Sequence, residues 1–198
     1  MKILIGIAIV AVGLLGVVAF TQGVDESVVE EIRDEIIPME GMETTYGIPL
    51  TLSSLPEFVG WWYTLVPLVE DDVRYIDGLN VLVAPCCDDN PAYKCCCEND
   101  EGQACNVIRS GKGLAAHLIH DLEYTSEQVS SAVLEWLQFA RPDYYIAAEL
   151  ESRNMVPALF GMTTNGSCYR GLCGTPISQG GCGGMNELIE PAIESSNT

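Results

Sequence analysis

Three features of the chain predict a mainly α fold. Apolar residues recur at helical spacing, most clearly in Val129, Ala132, Val133, Trp136, Leu137 and Ala140, which marks a helix with one buried stripe. Capping signatures precede such runs at Ser27-Val28-Val29-Glu30, Ser54-Leu55-Pro56-Glu57 and Thr125-Ser126-Glu127-Gln128. Prolines stand where helices should start or stop, as at Pro38, Pro56 and Pro142.

The elements follow in order. Ile3 to Phe20 is an apolar run without a charge; as a helix it would extend roughly 27 Å, about the thickness of a bilayer core. Lys2 precedes it and Asp25, Glu26, Glu30 and Glu31 follow, an asymmetry that places the remainder outside the cytoplasm. Residues 1–23 are therefore expected to be a signal anchor, a single transmembrane helix. A cleaved signal peptide is the alternative, opposed by the length of the run and by the poor cleavage sequence Phe20-Thr21-Gln22.

Residues 24–53 are expected to form a juxtamembrane helix, with Val28, Val29, Ile32 and Ile36 on one face and Pro38 as its stop, and then a linker. Residues 54–160 are expected to be a small helical domain with a cysteine-rich loop at 85–105. Its first helix carries Phe58, Val59, Trp61, Trp62, Tyr63, Leu65 and Val66, too few apolar residues to span a bilayer, so it should be buried in a core, or else lie at the membrane interface or against a partner subunit. Leu79 to Ala84 is a short buried segment. Leu114 to Leu122 is helical in pattern, the helix after Thr125 runs to Ala140, and a third runs from Pro142 to about Arg153, where Glu149 and Arg153 form an i, i+4 pair. Short connections between them predict antiparallel packing. From Gly161 to Gly184, eight glycines and three cysteines predict an irregular lobe, 161–198, held by cross-links or metal.

The net charge of −19 excludes nucleic acid as a partner, because its phosphates would be repelled. A solubilising surface is the plain explanation; docking of a basic partner is the sharper one.

Nine cysteines dominate the chemistry: Cys86, Cys87, Cys95, Cys96, Cys97, Cys105, Cys168, Cys173 and Cys182. In an oxidising compartment disulfides are their default fate, and the polar segments Asp88-Asp89-Asn90 and Asn99-Asp100-Glu101 cannot build a core that would replace them. Closing a loop of about 15 residues contributes roughly 3 kcal/mol. The odd count leaves at least one sulfur over, and adjacent cysteines pair poorly with each other. Clustered thiolates suit Cu(I), Zn(II) or an iron–sulfur cluster. The candidate metal set is Cys86, Cys87, Cys95, Cys96, Cys97 and Cys105, completed by His117 and His120, the two histidines of the chain, three apart on one helix face.

No C-x-x-C occurs, so the common zinc-knuckle, thioredoxin, ferredoxin and haem-attachment spacings are absent. Ser110-Gly111-Lys112-Gly113 is a fragment of a phosphate loop without the full pattern, and no residues stand out as catalytic. Asn165-Gly166-Ser167 is a glycosylation sequon.

Leu55-Pro56-Glu57-Phe58, then Ala84-Pro85-Cys86-Cys87 and the helix pair from Leu114 to Phe139, resemble the PCYCGC-motif proteins over residues 55–140. That family is membrane-tethered and extracytoplasmic, which the resemblance implies here; its own C-Y-C-G-C is missing. The expected function is thus a membrane-anchored, disulfide-stabilised accessory or structural subunit that works with protein partners. A soft-metal binding or delivery protein is the alternative, and a thiol–disulfide oxidoreductase the second.

Overall fold

A computed structural model describes residues 26–87, 90–95 and 104–185. The expected anchor, Cys96, Cys97 and the tail after Met185 lie outside the described residues. Among those described, no helix is long and apolar enough to cross a membrane.

The architecture is mainly helical. Seven α-helices are described: α1 (Glu26–Ile36), α2 (Leu55–Thr64), α3 (Val66–Val69), α4 (Val73–Asn80), α5 (Asn106–His120), α6 (Ser126–Ala140) and α7 (Pro142–Ser152). Short 3-10 turns occur at Leu52–Ser54, Ala92–Lys94, Pro157–Phe160 and Ile177–Gln179. No strand occurs among the described residues; an isolated antiparallel bridge joins Val83 and Pro91.

Helix α5 is the axis of the molecule. It packs against α2, α3, α4 and α6, and nearly every residue from Asn106 to Ile119 is buried. One of its glycines makes this closeness possible. A Cβ at Gly113 would lie 1.8 Å from the Phe58 carbonyl oxygen and 2.8 Å from the Trp62 amide nitrogen, so α2 crosses backbone to backbone there. Gly111 faces the side chains of Val133 and Leu137 on α6 at ordinary contact distance. The Ser110-Gly111-Lys112-Gly113 run is therefore helix interior, not a loop for phosphate. The sequence pattern located only the second half of this helix, because glycine there serves packing at the expense of helix propensity.

Several polar groups of this buried helix find partners within the core. Ser110 Oγ donates to the Val107 carbonyl at 2.7 Å and accepts from Trp136 Nε1 at 2.8 Å. Trp136 is fully buried and packs edge-on against Phe58 with ring centroids 4.8 Å apart. Arg109 donates to the Tyr63 hydroxyl at 2.9 Å and lies over the Trp62 ring at 4.9 Å.

Caps were read with mixed success. Thr125 and Gln128 form the complete reciprocal box at the start of α6. Ser54 does not cap α2: a 3-10 turn runs straight into that helix, and the Ser54 hydroxyl donates to the Pro49 carbonyl at 3.2 Å. Ser27 is the second residue of α1 and so sits inside its first turn. Leu79 to Ala84 is not one buried segment. Leu79 ends in α4, and beyond it Leu82 and Ala84 point inward while Val81 and Val83 are exposed.

A second, smaller apolar cluster joins α1 to α7 through Ile32, Ile146 and Leu150. The Glu149–Arg153 pair forms at 2.8 Å, and Arg153 also reaches Glu31 and Glu35 across to α1. Tyr46 and Leu50 of the expected linker enter the main core, as do Ile177 and Cys182 from the glycine-rich lobe.

Candidate functional site

The sulfur atoms of two distant stretches of chain meet at the N-terminal end of α5. Cys105 is the residue that precedes this helix, in extended conformation. Cys86 and Cys87 lie in the turn after Ala84, which closes through Cys87 N–H to the Ala84 carbonyl at 3.0 Å. The glycine-rich lobe covers both. Its carbonyls accept from the first amides of α5, Asn106 N to Gly184 O at 2.9 Å and Val107 N to Cys182 O at 3.3 Å. These amides have no partner inside the helix, so the lobe supplies the cap that no side chain provides.

A second seam holds the lobe to the Cys86 turn. Cys168 N–H donates to the Cys86 carbonyl at 3.1 Å. A Cβ at Gly166 would stand 2.5 Å from that same oxygen, so only glycine permits this approach. Arg141, at the start of α7 and wholly buried, binds both sides. Its Nη1 donates to the Pro85 carbonyl at 3.4 Å and to the Ser167 hydroxyl, and its Nη2 pairs with Asp143 at 3.0 Å. Pro85 and Ser167 each immediately precede a cysteine. Asp143 also holds Arg170 at 3.0 Å. Burial pushes the Asp143 carboxyl up, but hydrogen bonds and charge from Arg141 and then Arg170 outweigh it and hold the group below its ordinary range.

The result is a chain of sulfur contacts. Cys86 Sγ lies 3.6 Å from Cys87 Sγ and 3.3 Å from Cys105 Sγ. Cys105 is also in hydrogen-bond contact with Cys182, and Cys182 Sγ lies 3.8 Å from Cys168 Sγ. Cys168 and Cys173 form a disulfide. Ligand atoms around one tetrahedral ion at a metal–sulfur distance of 2.3 Å are separated by roughly 3.8 Å. Successive sulfurs along this chain of contacts have separations of that size.

Charge in the cluster is centred on Cys105. Thiol donors from Cys182 and Cys86 pull its proton affinity well below that of an ordinary cysteine despite complete burial, and the Ile108 amide in the first turn of α5 acts in the same direction. The helix N-terminus favours a thiolate there. Cys86 and Cys182 shift upward, each chiefly because it donates to Cys105, with burial adding to the effect.

Sequence reasoning placed part of this set. Cys86, Cys87 and Cys105 lie in contact through Cys86. Cys95 is buried after the Ala92–Lys94 turn, while Cys96 and Cys97 lie outside the described residues. His117 and His120 are not brought to the Cys86, Cys87 and Cys105 sulfurs: α5 carries His117 roughly 18 Å along its axis from Cys105. There, His117 Nδ1 and His120 Nδ1 donate to the two oxygens of Asp121 at 2.7 and 2.6 Å, and His117 stacks on Trp61 at 3.9 Å. Hydrogen bonds from His120 and then His117 hold the Asp121 carboxyl below its usual range. Adjacency to the cysteine loop in sequence was misleading because a helix separates what it connects.

Cys168, Cys173 and Cys182 are expected from the sequence to hold the lobe by cross-links or metal, but they stand outside the candidate metal set. Their odd number within the lobe was the available signal, since one of the three must find its partner elsewhere. Their three sulfurs lie within 4.8 Å of one another. Comparison with protein families, curated proteins and solved structures finds no match to this chain.

Proposed function

We propose that this protein binds a soft metal ion, Cu(I) or Zn(II), through Cys86, Cys105 and Cys182, with Cys87 beside them. The observation that carries this reading is the contact of Cys105 with Cys182 across the two stretches, beside the Cys86–Cys105 and Cys86–Cys87 separations of 3.3 and 3.6 Å. A chain of contacting, buried thiols at a helix N-terminus is poised to lose protons to a cation, and soft thiolates select soft metals. The apolar run at residues 3–20 supports tethering to a membrane with this domain outside the cytoplasm, where metal capture or hand-over to a partner protein would take place.

A second reading has support from the Cys168–Cys173 disulfide: an accessory subunit of a membrane-associated assembly, stabilised by cross-links and carrying no metal. Native mass spectrometry with metal analysis and thiol counting separates the two. One or more equivalents of copper or zinc retained on Cys86, Cys105 and Cys182, and lost in Cys105→Ser, is the expected result. Metal-free protein with those three sulfurs oxidised overturns the metal reading in favour of the second.

A further inference from the structure

The lobe holds more sulfur than the proposed core site requires. Cys182 is fully buried and serves the core, yet its sulfur also touches the Cys168–Cys173 disulfide, and all three atoms lie within 4.8 Å. We propose that this disulfide gates a second, three-thiolate cation position formed by Cys168, Cys173 and Cys182. The position is closed while the bond is intact and open to Cu(I) after reduction. This rests on the metal reading of the core, which it extends with a site of its own.

Three observations support the gate. The lobe backbone is fixed independently of the disulfide. Gly184 N–H donates to Cys173 O at 2.6 Å, Gly183 N–H to Thr175 O at 3.0 Å, Gly171 N–H to Cys168 O at 3.0 Å and Leu172 N–H to Ser167 O at 2.8 Å. At Gly181, a Cβ would meet the Thr175 carbonyl oxygen at 2.0 Å, so Cys182 is pinned beside Cys173 by close backbone packing. The sulfurs would therefore remain gathered once the bond opens. Accessibility also differs: Cys168 and Cys173 are half-buried, whereas Cys86, Cys105 and Cys182 are buried. A reductant therefore meets this disulfide before it meets the core thiols. Finally, the bond closes a separation of only five residues and restrains little chain, which fits a switch better than a staple.

The chemistry balances with a dithiol as reductant. The Cys168–Cys173 bond breaks, a disulfide forms in the dithiol, and two electrons and two protons pass to the protein sulfurs. Cu(I) then displaces protons to water as the thiolates coordinate. Three soft ligands suit Cu(I), whereas structural zinc requires four. Cys182 would bridge this ion and the core ion.

The test is Cu(I) titration of the full chain against a chromogenic chelator, before and after dithiol treatment, with peptide mapping of the Cys168–Cys173 bond. The reduced protein should take up about one further equivalent per chain, and Cys173→Ser should lose that equivalent while keeping core uptake. Equal uptake in both states overturns the gate and leaves the core site standing. An extra equivalent that persists in Cys173→Ser places the ion elsewhere and also overturns it. Absence of uptake in either state removes the core site, and the gate with it. The comparison of oxidised with reduced wild-type protein does not depend on the variant folding.

Discussion

The guanidinium of Arg141 donates to the hydroxyl of Ser167, 26 residues further along the chain, from a position with no solvent exposure. Because the same nitrogen reaches the Pro85 carbonyl, one side chain ties the turn that carries Cys86 to the loop that carries Cys168. Arg141→Met keeps most of the volume but strands two buried acceptors and leaves Asp143 to Arg170 alone. A loss of about 3 kcal/mol is expected in urea unfolding. Arg141→Lys should recover only part of it, since an ammonium cannot reproduce the fork.

Two glycines of α5 only two residues apart, Gly111 and Gly113, should respond oppositely to alanine. At Gly113 the new methyl would meet backbone of α2 at 1.8 Å, and no rotamer can relieve that. The gain of about 1 kcal/mol in helix propensity is overwhelmed by a steric cost of about 3 kcal/mol or more. Gly111→Ala meets Val133 at 3.4 Å and should be neutral or slightly stabilising. Thermal unfolding of the two variants gives the comparison directly; equal effects would show that α2 and α5 do not cross as described.

Cys105 should be the first thiol to ionise. Its depressed proton affinity comes from the Cys182 and Cys86 donors, then the Ile108 amide. Reduced, metal-free protein should show ultraviolet thiolate absorbance at pH values below the ordinary cysteine range, and Cys105→Ser should abolish it. The sign for stability follows: a depressed thiol stabilises the fold above the ordinary cysteine range, and this contribution disappears as pH falls through the folded value. A stability profile unchanged by Cys105→Ser over that interval contradicts the assignment.

Asp143 should make the lobe acid-sensitive. Its carboxyl is held low against burial by Arg141 and Arg170, so its stabilisation is complete above the usual aspartate range and is lost as pH drops through the lowered value. Hydrogen exchange in 166–184 should accelerate on acidification in the wild type. In Asp143→Asn it should already be fast at neutral pH.

Removing the Cys168–Cys173 bond by a double serine substitution should cost only about 2 kcal/mol, as expected for so short a loop. Global unfolding in denaturant should remain cooperative.

How far the sequence disclosed these features depends on whether the information was local. Helix α6 was legible from end to end, since Thr125, Gln128 and the stripe from Val129 to Ala140 interact within one element. The first half of α5 was not legible, because Gly111 and Gly113 are explained by helices 22 residues or more distant in sequence. The meeting of Cys182 with Cys105 has no periodicity to announce it. It depends on lobe carbonyls capping α5, as Gly184 O does for the Asn106 amide, and on the Asn106 side chain donating to the Gly183 carbonyl 77 residues away. Close spacing, conversely, overstated the kinship of His117 and His120 with the cysteines, which one rigid helix keeps at its other end.

That long-range closure imposes an order of events. The ribosome delivers Cys86, Cys87 and Cys105 well ahead of Cys182, a lag of roughly 4–15 s at ordinary elongation rates. During that interval the early thiols are unguarded and open to mispairing or to scavenging of whatever cation is nearby. Maturation must therefore protect a half-built nest until its last strut arrives.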